Sequence, residues 1–331
     1  MPILPEQPGS APKILFVTAT RIGDAVLSTG LLRHLVERHP GARFTIAAGP
    51  VSAPLFQGVP GLDRLIALRK RRWSRHWLDL YAQVAPQRWD LVVDLRGSAL
   101  AWVVRTRRRL VAAKGDPAEH RVVQLGRLVG PPPPPAPRLW LTPPHEIAGE
   151  ALVPGGPPVL GIGPTANWPG KVWQAERFAE LARRLTAPGA ALAGARIAVF
   201  AAPHEREAAA PVLASVPPER RIDVTAEGDL LSVAAALSRL RLFIGNDTGL
   251  MHLAAAMGTP TLGLFGPSPA VQYAPWGAHA AVAETEIPYA ALVGAADFDH
   301  RTTGSLMASL SVERAEAAAL ALLERRRACA A

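Results

Sequence analysis

The run from Phe243 to Gly266 confines this chain to a narrow set of folds. It reads as a short apolar strand over 241–244, a polar turn, a helix, and a second apolar strand over 260–265. Gly245 and Gly249 permit tight turns and a close backbone approach. Asn246, Asp247 and Thr248 are good N-caps for a helix that carries Leu250, Leu253 and Ala254 on one face. Fully apolar strands between amphipathic helices build a parallel sheet covered on both faces. The free N–H groups at such a helix start can bind an anion such as a phosphate. An ordinary capped helix would look similar, since Asp-Thr-Gly is common. His252, one turn into the helix, and a second glycine turn at Gly266-Pro267-Ser268 set this segment apart.

The same alternation runs through the rest of the chain. Apolar strands are predicted over 13–18, 43–48, 65–68 and 91–95, with a helix over 24–39. Residues 131–158 break the pattern with Pro131–Pro135, Pro143-Pro144 and Gly155-Gly-Pro-Pro158, a composition that resists helix and sheet and reads as a boundary or linker. Strands over 159–162 and 196–201 and helices over 174–185, after His204, and over 230–240 then resume it. The length of 331 residues suits two domains. The division predicted is a disordered extension over 1–12, a Rossmann-like domain over 13–155, a second over 156–311, and a C-terminal helix over 312–331. A ligand is expected at the carboxyl ends of the strands, in a central cleft that the two halves face.

Composition narrows the function classes. The single cysteine, Cys329, rules out a disulfide within the chain and a cysteine-based metal site. Residues 1–12 lack the apolar core of a signal peptide, and no apolar run reaches the ~20 residues that span a bilayer, so a cytoplasmic protein is expected. The net charge of +9 is concentrated at Arg69-Lys-Arg-Arg-Trp-Ser-Arg75, which includes Arg71 and Arg72, and at Arg105-Thr-Arg-Arg-Arg109. Such clusters suit a phosphate-rich partner, or they reflect composition alone. Trp73 and Trp77 interleave with arginine as in some single-strand binders, but no zinc-finger, RNP or helix-turn-helix signature accompanies them. No nucleic-acid partner is expected.

Several residues stand where chemistry is done. Asp24 follows Gly23 where the first strand turns into the first helix, and reads either as a helix cap or as a carboxylate at the cleft. Arg21-Ile-Gly-Asp-Ala25 is not a dinucleotide loop, which argues against a dehydrogenase. Lys171, one of four lysines, sits beside the loop over 163–170. A compact ammonium in a turn rich in N–H groups suits a diphosphate, although a solvated lysine would read the same. His252 either orients Asp247, contacts phosphate, or is a satisfied half-buried ring. Asp94 and Arg96 end a strand near the cleft, where an arginine can meet an acidic acceptor. Asp297-Phe-Asp299 has the spacing of a metal motif but lies outside any βα unit, so no metal or other cofactor is expected.

Four segments in one order give these residues a wider meaning. They are Arg21 to Gly30, Asp90 to Gly97, Gly163 to Trp173, and Asp247-Thr248-Gly249 with His252 followed by Phe265-Gly-Pro-Ser268. Together they resemble glycosyltransferase family 9, the ADP-heptose:lipopolysaccharide heptosyltransferases. The resemblance implies a GT-B architecture, often with the last helix packing back across the first domain. It implies that Asp24 is a general base and that Thr165, Lys171, Asp247, Thr248, Gly249 and His252 surround the donor diphosphate. Glu205 would approach the nucleotide ribose. Arg21, Asp94, Arg96 and the Arg69, Arg71 and Arg72 cluster would face the acceptor. The activity implied is inverting transfer of heptose from ADP-heptose to the lipopolysaccharide inner core, by a monomer working without metal at the inner-membrane surface. Another nucleotide-sugar transferase (including protein O-heptosylation), an epimerase, or a non-catalytic nucleotide-sugar-binding protein would share the architecture. The sequence departs from the family at Leu306-Met307, where many members have Cys-Met, and in the varied loop Pro164-Thr-Ala-Asn167.

Overall fold

The computed structural model describes residues 11–225, 228–294, 298–299 and 302–328. Residues 1–10, Asp297 and Cys329, on which some expectations rest, lie outside the described residues. The chain divides into two compact units at Thr142/Pro143.

The first unit runs β1 (Lys13–Val17), α1 (Ile22–Arg38), β2 (Arg43–Ala48), β3 (Leu62–Ala67), α2 (His76–Val84), β4 (Trp89–Asp94), α3 (Leu100–Val103), β5 (Thr106–Val111) and α4 (Arg121–Gly126). Its five strands are parallel, in the order β3-β2-β1-β4-β5. Ile14 through Val17 are all buried. Because successive strand side chains point to opposite faces, that pattern requires cover on both. Strand order reverses between β1 and β4, so the loops after these two strands open a crevice at the switch point.

The second unit runs α5 (Pro143–Leu152), β6 (Val159–Gly163), α6 (Ala175–Thr186), β7 (Arg196–Ala201), α7 (Arg206–Ser215), β8 (Arg221–Thr225) and α8 (Leu230–Ser238). It continues with β9 (Leu242–Asn246), α9 (Gly249–Ala256), β10 (Thr261–Phe265), α10 (Ala270–Tyr273), β11 (Ala280–Glu284), α11 (Tyr289–Val293) and α12 (Val312–Ala328). Six parallel strands lie in the order β11-β10-β9-β6-β7-β8. Here the switch point falls between β9 and β6.

Two boundaries differ from expectation. The proline-rich stretch is not all linker: Pro143 and Pro144 occupy the first turn of α5, where a missing N–H costs nothing. That helix packs on α8 so closely that a Cβ on Gly149 would stand 2.4 Å from the Ala235 side chain. The second unit therefore begins at Pro143, ahead of the 155/156 boundary. The C-terminal helix, set apart from the second domain at 311/312 by the sequence, contributes Ala315, Ala319, Leu322 and Leu323 to the core of the second unit. Glu313 and Glu316 of α12 also pair with Arg184 of α6.

Candidate functional site

The switch point of the second unit is built by close approach. Gly163 of β6 lies opposite Gly245 of β9, and a Cβ on either would come within 3 Å of the Phe243 ring, at 2.7 and 2.9 Å. Asn246, fully buried at the end of β9, holds the neighbouring loop in place. Its Nδ2 donates to the Pro164 carbonyl (2.9 Å) and the Thr165 carbonyl (3.3 Å), and its Oδ1 accepts from the Trp173 N–H (3.2 Å). Sequence reasoning gave Asn246 only a capping role. An amide closing an otherwise apolar strand was the signal for more.

This clamp brings Lys171 to Asp247. The Lys171 ammonium donates to Asp247 Oδ2 at 2.6 Å, and His252 Nε2 lies 3.7 Å from Oδ1. Burial pushes the Asp247 carboxyl up, but the neighbouring His252 ring and the Lys171 charge outweigh it and hold the group well below the usual carboxylate range. Asp247 is thus a fixed anion. Close to a diphosphate it would repel, so its contact with the Lys171 ammonium serves to orient that group. The ammonium has three protons and spends one here, leaving others for a bound anion. Thr248 is the N-cap of α9 in an extended conformation, with no side-chain cap bond, and Gly249 opens the helix. His252 Nδ1 and Ser268 Oγ, one on α9 and the other just after β10, are buried without a hydrogen-bond partner among the described residues. Such groups cost ~1–3 kcal/mol each unless a ligand completes them.

Thr165 and Glu205 form a second pair. The Thr165 hydroxyl donates to Glu205 Oε2 at 2.7 Å, and the same oxygen accepts from the Ala202 N–H at 3.3 Å. The resemblance sets Thr165 beside the donor diphosphate. Its hydroxyl proton is committed to a carboxylate, which leaves the hydroxyl as an acceptor only. Glu205 keeps its other oxygen for a hydroxyl-bearing ligand such as a ribose.

In the first unit Asp24 is the third residue of α1 rather than its cap, since Arg21 occupies the N-cap position and makes no side-chain cap bond. Asp24 is half-buried and its carboxylate has no partner among the described residues. Arg21 is exposed beside it. Asp94, by contrast, is spent. Its carboxylate accepts from the Arg96 N–H (2.8 Å), the Ser98 N–H (2.8 Å) and the Ser98 hydroxyl (2.6 Å), fixing the turn after β4. Asp94, fully buried, therefore shapes the loop that carries Arg96 and is not exposed to an acceptor. The Arg96 guanidinium lies over the Trp77 ring, 5.9 Å from its centroid. Arg69 and Arg72 are exposed, and Arg71 pairs with Asp79 at 2.8 Å.

Two Rossmann-like parallel sheets in one chain, each with a switch point at the carboxyl ends of its strands, define an α/β protein of the GT-B class. The chain belongs to glycosyltransferase family 9: residues 96–296 match that family, described as glycosyltransferase family 9 (heptosyltransferase). It is 24% identical over 305 residues to lipopolysaccharide heptosyltransferase 2 of Salmonella typhimurium, covering 77% of this chain and 83% of that protein. The family 9 glycosyl transferase of Veillonella parvula superposes with a TM-score of 0.77 at 22% identity, over 95% of this chain and 97% of the other. The E. coli ADP-heptose lipopolysaccharide heptosyltransferase II gives a TM-score of 0.73 at 22% identity, over 95% and 99%. The family, the fold class and the enzyme class expected from the sequence motifs all hold.

Proposed function

We propose that this protein transfers a heptose from ADP-heptose to the inner core of lipopolysaccharide, with inversion at the anomeric carbon. The observation that carries the reading is the Lys171–Asp247 ion pair beside His252 at the switch point of the second sheet. Lys171 and the N–H groups of Thr248 and Gly249 would bind the diphosphate and stabilise the charge that grows on it as it leaves. Glu205 would accept from the ribose. Asp24 belongs to the first unit and serves as the base. The acceptor hydroxyl oxygen bonds to the anomeric carbon, its proton passes to Asp24, and the carbon–oxygen bond to ADP breaks with its electrons.

In this reading the leaving charge is met by an ammonium and backbone dipoles, with no metal or other cofactor. The enzyme works as a monomer in the cytoplasm on a glycolipid at the inner-membrane surface. The test is a transfer assay with purified protein, ADP-heptose and a delipidated inner-core acceptor ending in Kdo, run with and without EDTA. Product formation unaffected by EDTA is expected. Turnover with another nucleotide sugar and none with ADP-heptose would reject the donor, and loss of activity restored by Mg²⁺ would reject the metal-free mechanism.

A further inference from the structure

Helices α2 and α3 cover one face of the first sheet. Leu80 and Val84 of α2 join Leu100, Ala101 and Val104 in one core cluster with Leu15, Val17 and Val92. The side of this layer turned away from that core is unusual. Trp73 is 86% exposed, Leu78 66%, Trp102 65% and Val103 58%. In the segment that leads into α2, Arg69, Lys70, Arg72 and Arg75 are exposed and have no side-chain partner among the described residues. The only carboxylate in the segment 69–79 is Asp79, and Arg71 already occupies it. Arg71, Arg72, Trp73 and Arg75 line one shallow recess.

The backbone accentuates the arrangement. Trp73 and Ser74 have φ of 56° and 55°, two successive non-glycine residues in the left-handed region, where the Cβ crowds the following carbonyl. Strain that presents a tryptophan to water is disfavoured twice, and a partner that buries the ring would offset both costs. Trp102 carries the Arg109 guanidinium over its face at 5.1 Å, so a second aromatic here is also paired with a cation.

We propose that this face docks on an anionic lipid bilayer. Trp73, Leu78 and Trp102 enter the headgroup region, and Arg69, Lys70, Arg72 and Arg75 meet lipid phosphates. Aromatic and aliphatic side chains set among unpaired cations are what an interfacial element presents to such a surface. A single-stranded nucleic acid would engage the arginines and tryptophans but would leave Leu78 and Val103 bare. Docking rests on the membrane-surface setting proposed above, but its test uses neither donor nor acceptor, so it can fail while the heptose reading stands.

The experiment is sedimentation of the full-length protein with large unilamellar vesicles of phosphatidylcholine alone or mixed with phosphatidylglycerol, across a salt series. Partitioning about tenfold or more stronger onto the phosphatidylglycerol vesicles, weakening as salt rises, is expected. The Arg69→Gln/Arg72→Gln/Arg75→Gln and Trp73→Ser/Leu78→Ser variants should each lose most of that binding while keeping the wild-type unfolding midpoint. Where a variant fails to fold, quenching of wild-type tryptophan fluorescence by lipids brominated near the headgroup decides instead, and no quenching overturns docking. Equal binding to both vesicles, or variants that bind like wild type, would also overturn it. So would tighter, Trp73-dependent binding to poly(U) than to vesicles, which would assign the face to nucleic acid.

Discussion

Asp24 and Asp247 both stand near the start of a helix, and their surroundings give them opposite chemistry. Asp24 is half-buried and unpartnered among the described residues, so its lone pairs are available. Asp247 is buried against Lys171 and His252 and is locked as an anion. Asp24→Ala should therefore lower kcat by about 10²–10⁴, the range for a lost general base, and leave the calorimetric Kd for ADP unchanged. Near-wild-type turnover would reduce Asp24 to a first-turn carboxylate that favours the helix dipole. Lys171→Ala should weaken ADP binding by about 1.5–3 kcal/mol, the scale of a charge-assisted hydrogen bond. Asp247→Asn tests the pair from the other side. A depressed carboxyl pKa contributes stability that is intact above the unfolded value of ~3.8 and is lost as pH falls through the folded one. Urea midpoints of wild type and Asp247→Asn should thus differ at pH 6, with the gap beginning to narrow only below about pH 4. A gap that stays constant with pH would mean that the carboxylate charge contributes nothing to stability. The residue types at this site were legible in the sequence, but their pairings were not. Lys171 meets Asp247 across 76 positions and Thr165 meets Glu205 across 40, distances that no local pattern encodes.

Among the elements, legibility followed position in the sheet. β1, β2, β4, β6, β7, β9 and β10 are largely buried on both faces and stand out as apolar runs. The strands that the pattern did not reveal are β5, β8 and β11, each at the edge of its sheet. Edge strands are half-exposed, and β5 and β8 carry charge in place of the apolar signal, while β11 is a short alanine-rich run that favours no strand. β5 is the clearest case, because its Thr-Arg-Arg-Arg-Leu-Val sequence reads as part of a basic cluster. Its arginines have structural partners: Arg107 lies 3.4 Å from Asp90, and Arg109 donates to the Ala101 carbonyl at 2.9 Å. Cations on an edge also deter pairing with another chain. Arg107→Val/Arg109→Val should keep the circular dichroism of the wild type and self-associate at lower concentration by sedimentation velocity. A variant that remained as monodisperse as wild type would return the cluster to partner recognition.

At the scale of the whole molecule, the hydrophobic cluster around Leu15, Val17 and Val92 and the one around Ile162, Val199 and Ile244 have no residue in common, and each belongs to its own sheet. The donor residues proposed here, Lys171, Glu205, Thr248 and Gly249, all lie in the unit that begins at Pro143. A ligand that binds only the native form of one unit raises that unit's stability by RT ln(1 + [L]/Kd), ~2.7 kcal/mol at a hundredfold excess over Kd. For a unit of this size each kcal/mol moves the midpoint by about 2–4 °C, so the shift should be about 5–10 °C. Calorimetry of the full chain is accordingly expected to give two transitions, since chains of two domains commonly depart from all-or-none unfolding. ADP should move one of them by that amount and leave the other in place. Lys171→Ala should abolish most of the shift, whereas Asp24→Ala should preserve it, because its carboxylate belongs to the other unit. A single transition that ADP moves as a whole would show that the units unfold together. A shift that survives Lys171→Ala unchanged would place the diphosphate somewhere other than the switch point of the second sheet.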